Sequence, residues 1–96
     1  MGRLEKGIGL VSFKVEFTRQ GGKDLRRLDR VTLGRLKVRI DELAQGPFNP
    51  RLSRQMETDP ESRYSRVGDW RIIYQVEENQ MTINITAIRP RSGAYR

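Results

Sequence analysis

Apolar and polar residues alternate through "LVSFKVEFT", residues 10–18. Val11, Phe13, Val15 and Phe17 fall on one side; Ser12, Lys14, Glu16 and Thr18 fall on the other. A period of two predicts a half-buried β-strand, and "RQGG" after it predicts a break. The period then changes. In "KDLRRLDRVTLGRLKVRIDELAQ", residues 23–45, Leu25 and Leu28 are followed by Leu33, Leu36, Ile40 and Leu43 at helical spacing, with cations on the other face. Gly34 weakens a single long helix. A helical hairpin is predicted instead, 23–29 and 32–45, with Thr32 capping the second helix. Gly46-Pro47 ends it.

Residues 46–62 carry three prolines and little periodicity. They predict a loop with a short strand near Leu52–Met56. Strand patterns follow at 63–67 ("RYSRV"), 70–77 ("WRIIYQVE") and 81–88 ("MTINITAI"), punctuated by Gly68-Asp69 and "ENQ". A tight turn at "ENQ" sets Val76 opposite Met81, Tyr74 opposite Ile83, Ile72 opposite Ile85 and Trp70 opposite Ala87. The expected fold is α+β: an N-terminal strand, a helical hairpin, then an antiparallel β-sheet (β-α-α-β-β-β). It forms one domain over residues 1–96. The same register puts Arg71, Ile73 and Ile88 on the face away from the core. Pro90 predicts a turn that redirects Arg89 and Arg91.

Composition narrows the chemistry. The chain has no cysteine and no histidine, so thiolate catalysis and the commonest general base and metal ligand are absent. No metal site and no cofactor are expected. The net charge is +7, from 19 Lys+Arg against 12 Asp+Glu, which favours an anionic partner. After Arg39 every cation is arginine: Arg51, Arg54, Arg63, Arg66, Arg71, Arg89, Arg91 and Arg96. A guanidinium fork matches phosphate oxygens in two places, whereas an ammonium is a point charge. No apolar run approaches the ~20 residues of a membrane helix, and "MGRLEKGIGL" lacks a secretory signal's apolar core. A soluble, cytoplasmic protein without a membrane partner is expected.

The tail "RPRSGAYR", residues 89–96, supplies further guanidiniums and a phenol. If Arg71, Arg89 and Tyr95 converge, they form a set able to cleave RNA without metal or histidine. The substrate's 2′-OH is the nucleophile. A tyrosinate, stabilised by neighbouring cations, takes its proton. Arginines offset the charge of the phosphorane. Periodicity permits this convergence but does not establish it.

"YSRVGDWRIIYQVEENQMTINITAIRPRSGAY", residues 64–95, resembles the C-terminal half of the RelE/ParE toxins of type II toxin–antitoxin pairs. "RVGDWRIIYQV" is similar to the family's "RVGDYRIIY"-like core, and "RPRSGAY" to its arginine-x-arginine tail ending in tyrosine. The resemblance implies a toxin fold and one of two activities. RelE-like members cleave mRNA in the ribosomal A site; ParE-like members poison DNA gyrase. In the RelE-like case, Arg71 stabilises the transition state, Arg89 acts as acid or phosphate stabiliser, and Tyr95 is the base. Arg91 is an auxiliary phosphate contact, and Arg63 and Arg66 are basic residues that bind RNA or activate the tyrosine. The implied partners are a cognate antitoxin, in a hetero-oligomer, and the ribosome with its mRNA. A gyrase inhibitor without nuclease activity and a non-catalytic nucleic-acid-binding or scaffold domain stand as alternatives.

Overall fold

A computed structural model describes residues 12–90. In chain order the elements are β1 (Lys14–Phe17), α1 (Arg19–Arg26), α2 (Arg30–Gln45), β2 (Arg54–Gln55), β3 (Arg63–Val67), β4 (Trp70–Glu77) and β5 (Thr82–Pro90). They build one five-stranded sheet in the order β1-β5-β4-β3-β2. The helical hairpin, the short strand in the 46–62 loop and the final antiparallel strands agree with the sequence. The sheet is mixed, however: β1 pairs with β5 in parallel, Lys14 opposite Thr82 and Phe17 opposite Ile85.

The hairpin starts earlier than its periodicity suggests. "RQGG" opens α1 instead of breaking the chain. Thr18 is the N-cap, its Oγ1 accepting from Gly21 N at 3.1 Å. Thr18 N also donates to Ile85 O at 3.0 Å, so the helix begins pinned to β5. Gly21 is buried there: a Cβ at this position would stand 2.1 Å from Ile85 O. Tertiary contact overrides the weak helix propensity of two glycines. The cap of α2 is Asp29, not Thr32. Its Oδ2 accepts from Val31 N and Thr32 N, both at 3.2 Å; hydrogen bonding from Thr32, its side chain first and its backbone second, holds the Asp29 carboxyl below its usual pKa.

Leu36, Ile40 and Leu43 of α2 form one helical stripe against Ile72 and Tyr74 of β4 and Ile83, Ile85 and Ile88 of β5. The β4–β5 register departs from the predicted one twice. The connection is longer than "ENQ": a 3₁₀ turn over Glu78–Gln80 is followed by Met81 at φ 51°. Glu77 therefore faces Thr82, and Tyr74 faces Ile85. A slide of two residues leaves every side chain on its face. The second departure does not. Tyr74 pairs with Ile85 but Ile73 pairs with Ala87, so Thr86 is an extra residue, a β-bulge, with its Oγ1 donating to Ile73 O at 3.2 Å. Beyond the bulge the parity of β5 inverts. Ile88, expected on the outer face, is 3% exposed in the core opposite Ile72. Pro90 does not turn the chain; it extends β5 opposite Trp70.

Tyr74 is fully buried, and its hydroxyl donates to Pro47 O at 2.7 Å, tying the loop after α2 to the sheet. Burial raises its pKa above the usual 10.0. At alkaline pH the unfolded chain thus releases this proton before the folded one. Stability should be unaffected below pH ~10 and fall as pH rises above it. Urea midpoints measured from about pH 9 to about pH 11 should drop, and Tyr74→Phe should flatten the drop.

Candidate active site

Gly68-Asp69 makes a two-residue hairpin turn, with Gly68 at φ 58° in the first central position. That turn sets Val67 against Trp70 and hence Arg66 against Arg71. On the other side of β4, the Thr86 bulge sets Arg89 against Arg71. Arg66, Arg71 and Arg89 therefore form one cross-strand row over β3, β4 and β5. Their neighbours along the strands, Ser65, Ile72 and Ile88, are buried on the helix side, so the row lies on the open face. In the next row Tyr64 faces Ile73 on one side and Arg54 on the other. Like charges directly opposite one another on a sheet are unfavourable. Among the described residues Asp24 supplies a carboxylate to Arg89, and neither Arg66 nor Arg71 has one.

Arg71 is half-buried. Its guanidinium carbon lies 4.8 Å from the centre of the Tyr64 ring, and its Nε is buried with no hydrogen-bond partner. Arg89 is held differently. Its Nη1 is 3.5 Å from Asp24 Oδ2, with 40% of the Arg89 side chain exposed and 3% of the Asp24 side chain. The same Oδ2 accepts from Ile88 N at 2.9 Å, and Gln20 Nε2 donates to Oδ1 at 2.8 Å. The strand pairs that β1 makes with β5 end at Ile85; Asp24 on α1 serves the β5 edge beyond it. Asp24→Ala leaves the buried Ile88 N–H without an acceptor and should cost about 1–3 kcal/mol. Asp24→Asn, which keeps an acceptor oxygen, should cost less in the same urea titration.

The register separates Arg63 from the row. It pairs with Tyr74 on the helix side, donates from Nε to Ser53 Oγ at 2.8 Å and sits 5.4 Å from the centre of the Phe48 ring. These contacts brace the loop after α2. Arg91 and Tyr95 lie outside the described residues, as does any convergence of the tail with Arg71. Three further side chains lie at the site, of which Arg54 was visible only as one of the arginines after Arg39. Asp24 had no local signal. Arg54 and Tyr64 had one: the hairpin turn at 68–69 fixes the face of Tyr64. Arg54 and Tyr64 join Arg39, Arg51 and Arg66 around a groove of about 270 Å³. Arg39 is steered into it by Nη1 bonds to Ser65 Oγ and Arg66 O, at 2.9 and 2.8 Å. Among the described residues no cluster of Asp and Glu offers a metal site, and no helix is long and apolar enough to cross a membrane.

Comparison with known proteins gives the family. The ParE toxin of the type II toxin–antitoxin system parDE, as a family, matches residues 15–95. A curated relative, toxin RelE of Mycobacterium tuberculosis, is 31% identical over 88 residues, covering 88% of this chain and 87% of that protein. The chain belongs to the RelE/ParE toxin family. Two solved structures show how far the toxin fold is shared. The isolated RelE toxin of E. coli superposes with a TM-score of 0.75 at 15% identity, covering 86% of this chain and 88% of that one. RelE in the RelE–RelB complex of Pyrococcus horikoshii superposes with a TM-score of 0.68 at 27% identity, covering 86% of this chain and 99% of that one. The family match extends over Arg91 and Tyr95, so both tail positions belong to the toxin domain by sequence.

Proposed function

We propose that this toxin is a ribosome-dependent mRNA endoribonuclease, held inactive by a cognate antitoxin in a hetero-oligomer. The observation that carries this reading is the Arg66–Arg71–Arg89 row on the open face. A polyanion relieves its repulsion, and a phosphodiester in transition to a phosphorane gains charge where the row can meet it. In the proposed reaction the 2′-oxygen of the substrate attacks the adjacent phosphorus. Its proton passes to Tyr95, Arg71 stabilises the phosphorane, and the P–O5′ bond breaks to leave a 2′,3′-cyclic phosphate. The departing 5′-oxygen takes a proton from Arg89 or from water; an arginine is a poor acid, so the ribosome's alignment of the mRNA supplies much of the rate. Arg66 and Arg91 hold flanking phosphates. Arg63, bonded on the other face, contributes by bracing the loop.

The ParE description of the matching family favours a second reading, a gyrase-directed toxin without nuclease activity. One pair of assays separates the two. Purified toxin is added to programmed translating ribosomes, and mRNA 5′ ends are mapped by primer extension; a gyrase supercoiling assay runs in parallel. A-site cuts that disappear with Tyr95→Phe support the nuclease. Intact mRNA with inhibited supercoiling assigns the toxin to the gyrase-directed class. The partner is tested by co-expression with candidate antitoxins: a stable complex that suppresses the cuts is expected.

A further inference from the structure

Tyr64 has no role in the reaction as proposed, yet its ring lies against Arg71. It stands one register step away on the same open face. Its ring lies 4.8 Å from the Arg71 guanidinium carbon. It also lines both grooves that flank it. One is the basic groove of about 270 Å³ with Arg39, Arg51, Arg54 and Arg66. The other, of about 400 Å³, is lined by Arg54, Met56, Thr58 and Arg71 among others. Among the described residues its hydroxyl has no hydrogen-bond partner, so what Tyr64 offers is its ring.

We propose that Tyr64 is a positioning residue: its ring carries the guanidinium of Arg71 and turns the Nη edge toward the substrate phosphate. The inference rests on the nuclease reading for its substrate, but its physics is local. A free arginine side chain carries about 2 kcal/mol of rotamer entropy. A ring against the flat face of the guanidinium removes much of that freedom, and cation–π attraction holds the plane in place. The buried, unpartnered Nε shows that one donor is already withdrawn from water. The Nη edge is then the part of the fork left for a phosphate, in a fixed orientation. Arg71 would reach the phosphorane at little further entropic cost, which is what transition-state stabilisation by a prearranged charge requires.

The test is a double-mutant cycle read in two ways. Cleavage of mRNA on programmed ribosomes is measured for wild type, Tyr64→Phe, Tyr64→Leu, Arg71→Ala and Tyr64→Leu/Arg71→Ala. Binding of a non-cleavable 2′-O-methyl RNA oligonucleotide to the same purified proteins is followed by NMR, together with the Arg71 Nε–H resonance. Tyr64→Phe should keep wild-type rate, binding and the ring-shifted Nε–H signal. Tyr64→Leu should lose that shift and cut about 3- to 30-fold more slowly, the range a cation–π contact of this kind supports. Most of the loss should fall in kcat. The double variant should be no worse than Arg71→Ala alone. Tyr64→Phe as poor as Tyr64→Leu overturns the proposal, since the hydroxyl then acts directly. So does an additive double variant, or a Tyr64→Leu protein of wild-type rate. A wild type that binds the oligonucleotide without cutting mRNA sinks the nuclease reading alone; the cycle in binding still decides the role of Tyr64. A wild type that does neither overturns both.

Discussion

Arg71→Ala should lower A-site mRNA cleavage by about 10²–10³-fold, the range seen when one prearranged transition-state donor is removed, without lowering the melting temperature. The two halves of this expectation have separate grounds. Arg71 occupies the middle of the arginine row, where both cross-strand neighbours are cations. Its charge is thus a burden to the empty protein, and under the proposed reaction it becomes useful when a phosphate arrives. Among the described residues it makes no hydrogen bond or ion pair, and its Nε is buried unpartnered. Truncation removes that orphaned donor along with a repulsion, so the fold should hold or gain slightly. The cation–π contact with Tyr64 is lost against that gain. A variant that melts early as it loses activity would point to a structural role instead. Primer extension and thermal circular dichroism on one preparation decide between them.

Gly21→Ala should be the more damaging change to stability, by about 3 kcal/mol or more. The added methyl would meet Ile85 O at 2.1 Å and Ile85 C at 3.0 Å. Both are backbone atoms of a central strand, with no rotamer to yield. The helix cannot simply move outward either, since Thr18 binds Ile85 O through its own N–H at 3.0 Å and Asp24 binds Ile88 N one turn later. Gly34→Ala is the control. Nothing lies within 4 Å of a Cβ there, and an exposed helical glycine replaced by alanine should gain up to about 1 kcal/mol. Urea titration of the pair should give shifts of opposite sign.

These two sites also mark how far local sequence could be followed. Periodicity located Leu36, Ile40 and Leu43, because a stripe repeats within one element. Alternation along residues 70–77 located Arg71, because Trp70, Ile72, Tyr74 and Val76 claim the other face of the strand. Where an outcome depended on a distant partner, the local pattern misled. "RQGG" looks like a break until β5 lies beside it. Ile88 and Arg89 look exchanged until the bulge at Thr86 reverses them, and alternation along a strand cannot reveal that its partner skips a residue. The parallel union of β1 with β5 likewise has no local trace. For the candidate site, the arginines were visible by type and spacing, and Tyr64 was readable from the hairpin. Asp24 was not, since its purpose is the edge of a strand far along the chain.

That parallel union has a further consequence for how the toxin comes into being. Lys14 waits for Thr82, and Thr18 and Asp24 wait for Ile85 and Ile88, so the first described strand and helix remain without their seat until the last described strand has been synthesised. Contacts this remote in sequence form late and slowly. Arg89 arrives on that same strand. The step that closes the sheet is therefore the step that completes the arginine row, and a nascent chain carries no finished row until then.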